Sequence, residues 1–182
     1  LLGAVEQLGL RNGLNILLAS MPAIVKQFRD VHLLLVGERT SSKDEAVAFE
    51  EQLHAQSARS PLAGQVHFLG YRHDMPQLLN ELTMLIHAAR QEPLGRVLLE
   101  AAASAVPVVA TDVGGTREIF CAANGVIIPP DNSAALAENV RHLLNDPVLL
   151  VRHASVARKR METAFDIRQS ANALLRHYRA LL

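Results

Sequence analysis

Six short apolar runs, separated by longer segments of helical pattern, constrain this chain more than any other feature of it. They are Leu1 to Val5, Val31 to Val36, Val66 to Leu69, Thr83 to His87, Pro107 to Ala110 and Gly125 to Ile128. Most are apolar almost without alternation, as strands covered by helices on both faces must be. Strands that alternate with helices pair in parallel, because the crossover back to the same edge needs a helix's length of chain. The expected fold is therefore α/β: a doubly wound, six-stranded parallel sheet of Rossmann-like type. Helices are expected over Leu14 to Phe28, up to about Arg59, from Asp74 onward, after Gly95, and over Arg117 to Phe120, Ser133 to Leu144, Pro147 to Met161 and Ile167 to Leu182. Asp74 reads as an N-cap acid with a proline in the first turn behind it.

With 182 residues and no repeat or linker-like stretch, one domain spanning 1–182 is the expected organisation. Acidic and basic side chains cancel at 18 each, so net charge gives no reason to bind nucleic acid or an anionic membrane. Any ligand must be recognised by a local site. The single cysteine, Cys121, leaves neither a thiol cluster for zinc nor an intrachain disulfide, and a reducing, cytoplasmic compartment is the default. No apolar run is long enough to cross a bilayer as a helix. The sequence opens in strand-like residues without a methionine, which suggests a domain excised from a longer protein.

The most informative stretch is Glu92-Pro93-Leu94-Gly95-Arg96-Val97-Leu98-Leu99-Glu100. It follows the apolar run ending at His87 and continues into Ala101-Ala102-Ala103, so two carboxylates flank a strand-to-helix turn. In a parallel sheet such turns lie at the carboxyl edge, where ligands collect, and a helix start offers unpaired N–H groups to an anion. Taken singly, Glu92 is as well explained as a helix-capping acid and Glu100 as a solvated one. Arg96 has two readings, a phosphate ligand or an exposed helix arginine. Gly37 and Gly70-Tyr71-Arg72 end neighbouring strands and are placed to frame a base, with Arg72 stacking on it or bonding to it; ordinary strand-ending loops explain them equally. The eight histidines show no trustworthy ligand spacing. His32, His67 and His87 lie in apolar runs and read as satisfied core or edge residues. A Gly-x-Gly-x-x-Gly fingerprint, a P-loop and a nucleophile elbow are absent from the sequence.

Taken together, Glu92 to Ala101, Pro107 to Glu118 with its Gly114-Gly115 pair, and Pro76-Gln77-Leu78-Leu79 resemble the family 4 retaining glycosyltransferases. The resemblance covers nearly the whole chain. It implies the GT-B fold of two Rossmann-like domains, with this chain as the carboxyl-terminal, donor-binding one and an amino-terminal acceptor domain in the same polypeptide. It further implies a nucleotide-diphosphate sugar as donor, no metal or other cofactor, and any peripheral membrane contact made through the missing domain. By the same resemblance, Glu92 sits beside the donor sugar and Glu100 accepts hydrogen bonds from the two ribose hydroxyls. A carboxylate suits a cis-diol because it has only acceptors to offer. The backbone N–H groups of Leu94, Gly95, Arg96 and Val97 are then expected to meet the sugar and the diphosphate, with Gly95 bare so that the donor can approach.

The first loop departs from the family. Members carry an arginine just after the first strand and a lysine before the glycine opening the first helix, both aimed at the diphosphate. Here those positions are Gln7 and Asn12. Losing one charge-assisted contact to a buried phosphate costs about 1.5 to 3 kcal/mol. Arg11 is the nearest cation, either shifted into the vacated place or turned to water. The competing expectation is a non-catalytic domain that binds a nucleotide or a partner protein, which Gln7 and Asn12 favour and the retained Glu92 and Glu100 oppose. A nucleotide-sugar epimerase of similar fold is a further alternative.

Overall fold

The computed structural model describes residues 1–181. All six expected strands form: β1 (Leu2–Val5), β2 (Leu33–Val36), β3 (Val66–Gly70), β4 (Met84–His87), β5 (Val108–Thr111) and β6 (Val126–Ile128). Every neighbouring pair is parallel, in the order β3-β2-β1-β4-β5-β6. The chain thus builds outward from β1 in one direction, returns, and builds outward from β4 in the other.

Eight helices form among the described residues: α1 (Leu14–Gln27), α2 (Asp44–Ser57), α3 (Met75–Glu81), α4 (Arg96–Ala103), α5 (Thr116–Ile119), α6 (Ser133–Asn145), α7 (Pro147–Ala164) and α8 (Ile167–Ala180). The core is split by the sheet into two layers. On one face Leu14, Leu17, Leu18 and Met21 of α1 pack with Leu53 of α2 and Leu136 and Val140 of α6. On the other, Leu78 and Leu79 of α3 meet Leu98, Ala101 and Ala102 of α4 and Ala157 and Met161 of α7. Having both faces covered is why the strands carry continuous apolar runs. Successive residues of a strand divide their side chains between the layers: in β4, Ile86 joins the first layer and Leu85 the second.

The differences from expectation sit at element ends. β2 begins at Leu33, not Val31, and β5 at Val108, because Pro107 lacks an N–H and only its carbonyl joins the ladder, accepting from Leu85 N at 2.9 Å. α7 runs a turn past Met161 to Ala164. The first loop contains a single 3-10 turn, Leu10–Asn12. Asp74 precedes α3 as expected, but its carboxylate makes no capping bond; it is turned to Arg72 instead. The capping side chains that do bond are Asn132, Asp146 and Asp166, at the starts of α6, α7 and α8. None of α8 is buried, and the expected helix end at Leu182 lies outside the described residues.

Candidate functional site

The reversal of strand order between β1 and β4 opens a crevice at their carboxyl ends, since the loops leaving these two strands run to opposite faces of the sheet. Two cavities lie there side by side, of about 730 Å³ and 460 Å³. Both are lined by Val5, Glu6 and Gln7 after β1 and by Arg96 and Val97 at the start of α4. The larger extends over Gly37, Arg72 and Glu100. The smaller extends over Arg11, Asn12, Glu92, Leu94 and Gly95. The fold therefore brings every candidate residue read from the sequence to one of two adjoining hollows.

Glu92 is held by its own loop. Its Oε1 accepts from Leu94 N at 3.1 Å and Gly95 N at 2.7 Å. Gly95 takes a left-handed φ of 79° and leads directly into α4, and a β-carbon there would come within 2.6 Å of Leu98 Cδ1. Glycine is thus demanded by the turn itself, not only by the approach of a ligand. Two of the four N–H groups expected to face the donor are consequently engaged by Glu92. The N–H groups of Arg96 and Val97 have no backbone or side-chain acceptor among the described residues, and they stand where the helix dipole favours an anion. Beneath this loop lies the Gly114-Gly115 pair. A β-carbon on Gly114 would fall on the Glu92 carbonyl oxygen, and one on Gly115 would come within 3.2 Å of the Pro93 carbonyl.

The first loop is braced by Arg90. Its backbone N–H donates to Arg11 O at 2.7 Å, its guanidinium donates to Leu10 O at 2.5 Å, and its Nε meets Asp131 Oδ1 at 2.6 Å. Asn12 Nδ2 donates to Gln7 O at 2.7 Å, so the two uncharged replacements are tied to each other. Arg11 and Arg96 are exposed, line the smaller cavity, and have no ion-pair partner among the described residues.

In the larger cavity the picture differs. Arg72 makes a two-pronged contact with Asp74, at 2.8 and 2.5 Å. This bond holds the Asp74 carboxyl below its usual range and raises Arg72, so the charge expected to reach a base is already answered. Gly37 donates its N–H to Gly70 O at 2.8 Å, and a β-carbon on it would strike the Glu6 carbonyl. It closes the β2–β3 edge against β1. The Glu100 carboxylate has no hydrogen-bond partner among the described residues and faces this cavity.

The sequence reading missed Glu6 and gave His87 a purely structural role. The His87 side chain is 2% exposed and lies between two carboxylates, with Glu6 Oε1 at 2.7 Å from Nδ1 and Glu92 Oε2 at 3.5 Å from Nε2. Neither ring N–H points along its contact closely enough to make an aligned hydrogen bond, so these are ion-pair contacts. The second oxygen of Glu6 is buried without a partner. Burial alone would push the imidazolium toward its neutral form, but the Glu6 carboxylate, with a smaller contribution from Glu92, outweighs it, and the His87 pKa rises above 6.5. Glu6 is also raised, by burial, with His87 pulling it partly back. The signal available in the sequence was an ionisable residue at or just beyond the carboxyl end of each of two strands. Only the sheet order makes those strands neighbours.

A doubly wound parallel sheet with a divided cavity at its switch point is an α/β domain with its crevice where such folds bind ligands. The family model described as "Glycosyl transferases group 1" matches residues 1–146, and the chain belongs to that family. Its fold is that of one half of a GT-B glycosyltransferase. It is 29% identical over 175 residues to the lipopolysaccharide core biosynthesis mannosyltransferase LpsB of Rhizobium meliloti, covering 94% of this chain and 49% of that protein. The crystal structure of Anabaena Alr3699/HepE in complex with UDP-glucose superposes with a TM-score of 0.87 at 30% identity, over 100% of this chain and 48% of that one. The C-terminal domain of the group 1 glycosyl transferase LpcC from Francisella tularensis shares the fold, with a TM-score of 0.84 at 23% identity, over 91% of this chain and 86% of that one. The chain spans about half the length of the curated relatives it matches. Among the described residues, no helix is long and apolar enough to cross a membrane.

Proposed function

We propose that this domain supplies the donor site for retaining glycosyl transfer from a nucleotide-diphosphate sugar to an acceptor hydroxyl. The observation that carries this reading is the pair of cavities joined across the start of α4, with Glu100 lining the larger and Glu92 the smaller. The nucleoside occupies the larger, where Glu100 accepts from the ribose diol. The diphosphate crosses Arg96 and Val97, whose N–H groups are free for it, and the sugar lies in the smaller cavity by Glu92. The UDP-glucose bound to HepE supports a donor of this class.

The chemistry follows from charge placement. Departure of the diphosphate builds negative charge at the helix start, where N–H dipoles point and Arg11 and Arg96 line the cavity, and positive charge at the anomeric carbon, toward which a carboxylate is favourable. The leaving diphosphate takes the acceptor's proton, so neither a protein base nor a covalent intermediate is required. A metal is not needed to hold the diphosphate in this scheme. The acceptor is bound by a second, amino-terminal domain of the full-length polypeptide, across the cleft.

A second reading, a non-catalytic nucleotide- or partner-binding module, is favoured by one observation. The family's phosphate-directed cations are replaced by Gln7 and Asn12, which bond to each other. Calorimetric titration with UDP, GDP and ADP and their sugars separates the donor-site reading from a partner-binding module that takes no nucleotide. The donor-site reading expects one nucleotide to bind, its sugar to bind with a distinct affinity, and the isolated domain not to turn over. Absence of binding to all of them, with the fold intact, overturns it.

A further inference from the structure

The group with most to explain is the buried Glu6–His87 pair. A titratable residue at the floor of a crevice, at 2% exposure, is costly unless its charge is used or matched. Glu6 supplies a match but retains a second oxygen with no partner, so the pair is not a closed structural ion pair. Its open end leads through His87 Nε2 to Glu92 Oε2 at 3.5 Å. The other oxygen of Glu92 accepts from Leu94 and Gly95. One carboxylate is thus held by the backbone N–H groups of its own loop and faced on its other side, without an aligned hydrogen bond, by a ring that rises from the end of β4.

We propose that His87 is a positioning residue for Glu92: Glu6 anchors the ring at Nδ1, Nε2 faces the Glu92 carboxylate, and the Glu92 loop is set for a donor sugar while His87 carries both protons. The inference rests on the donor-site reading for the identity of the ligand but not for the contact itself. Three strand ends and loops meet here, and the charged groups facing His87 from them are Glu6 after β1 and Glu92 before α4. Arg11 and Arg96 line the same cavity. The imidazolium places one positive charge between two negative ones, so the trio carries a net single negative charge. On loss of the Nε2 proton that nitrogen becomes an acceptor facing an acceptor, and the Glu92 carboxylate is repelled from it. The grip on Leu94 N and Gly95 N then slackens. This places a proton-dependent latch beneath the sugar position and leaves the nucleoside position, around Glu100, outside its reach.

The test is histidine and amide NMR on the 182-residue chain, with UDP and UDP-glucose as probes. The wild type is expected to show His87 doubly protonated beyond pH 6.5, with the Leu94 and Gly95 amide shifts following the same titration and Glu6→Gln moving both midpoints down together. His87→Gln is expected to weaken UDP-glucose about tenfold while changing UDP by less than about twofold, since only the sugar position is altered. The neutral pair Glu6→Gln with His87→Gln serves where the single variant does not fold. A His87 ring singly protonated throughout neutral pH, or Leu94 and Gly95 amides indifferent to its titration, overturns the proposal. So does equal weakening of UDP and UDP-glucose. If neither probe binds the wild type, the donor-site reading falls, and the amide titration still decides the His87–Glu92 contact.

Discussion

Gly114 lies so close to the Glu92 carbonyl oxygen that no β-carbon fits between them, and its φ of 49° is one that side-chain-bearing residues rarely adopt. The loop leaving β5 is therefore the seat of the loop leaving β4. Substituting Gly114→Ala is expected to lower stability by about 1 to 3 kcal/mol, from left-handed strain and from the shift forced on a backbone atom. Chemical denaturation measures this. Calorimetry on the folded fraction is expected to show weaker UDP-glucose binding than the wild type, because Glu92 moves with its carbonyl.

Arginine content alone does not say which cation meets a ligand. Arg72 is bonded through both prongs to Asp74, whereas Arg96 is unpaired among the described residues and borders both cavities. Arg96→Ala is expected to weaken UDP about tenfold, the loss of one charge-assisted contact. Arg72→Ala is expected to change it by less than about twofold. Equal effects from the two would mean that the Asp74 pairing opens when the nucleotide arrives.

Arg11 stands beside the uncharged Asn12, at the mouth of the smaller cavity. If it substitutes for the missing lysine, Arg11→Ala weakens UDP by about one power of ten, and the slope of affinity against ionic strength flattens as one cation is removed. Glu100→Ala is the reference, expected to weaken UDP through the ribose. Loss with Glu100→Ala and no change with Arg11→Ala would assign Arg11 to solvent.

The buried pair fixes a sign for the pH dependence of stability. Both Glu6 and His87 have folded pKa values above their ordinary 4.5 and 6.5. The folded chain therefore binds more protons than the unfolded one wherever these groups titrate, and stability falls as pH rises. The His87 contribution is complete below 6.5 and disappears as pH climbs through its raised folded value. The slope from one proton is at most about 1.4 kcal/mol per pH unit. Urea denaturation between about pH 5 and pH 9 is expected to show this decline, and the Glu6→Gln, His87→Gln double variant to flatten it. His153, whose folded pKa is lowered by burial, contributes the opposite slope, so the pair is contradicted if the wild type declines no more steeply over that range than the double variant.

Much of this was open to inspection in the sequence, for identifiable reasons. Val31 to Val36 and Thr83 to His87 declared buried parallel strands because a sheet covered on both faces removes alternation. Glu92, Gly95 and Glu100 were legible because a strand-to-helix turn sets their spacing locally. What could not be read was which of several available partners each polar group takes. Asp74 has the sequence of a helix cap, yet Arg72 competes for its carboxylate and wins it. The N–H groups of Leu94 and Gly95 read as open to a ligand, yet Glu92 reaches back to them. Glu6 and His87 become a pair only through the side-by-side placement of β1 and β4, which periodicity does not specify.

That same strand order has a consequence for how such a domain can diversify. Each wall of the crevice is contributed by a different crossover: Gly37 and Arg72 by the ends of β2 and β3, Arg11 by the loop after β1, and Glu92 by the loop after β4. Lengthening or rewriting one connection remodels the larger or the smaller cavity alone, while the sheet and the shared lining of Glu6, Arg96 and Val97 stay as they are. The two hollows can therefore be reshaped one at a time, by changes in different connections.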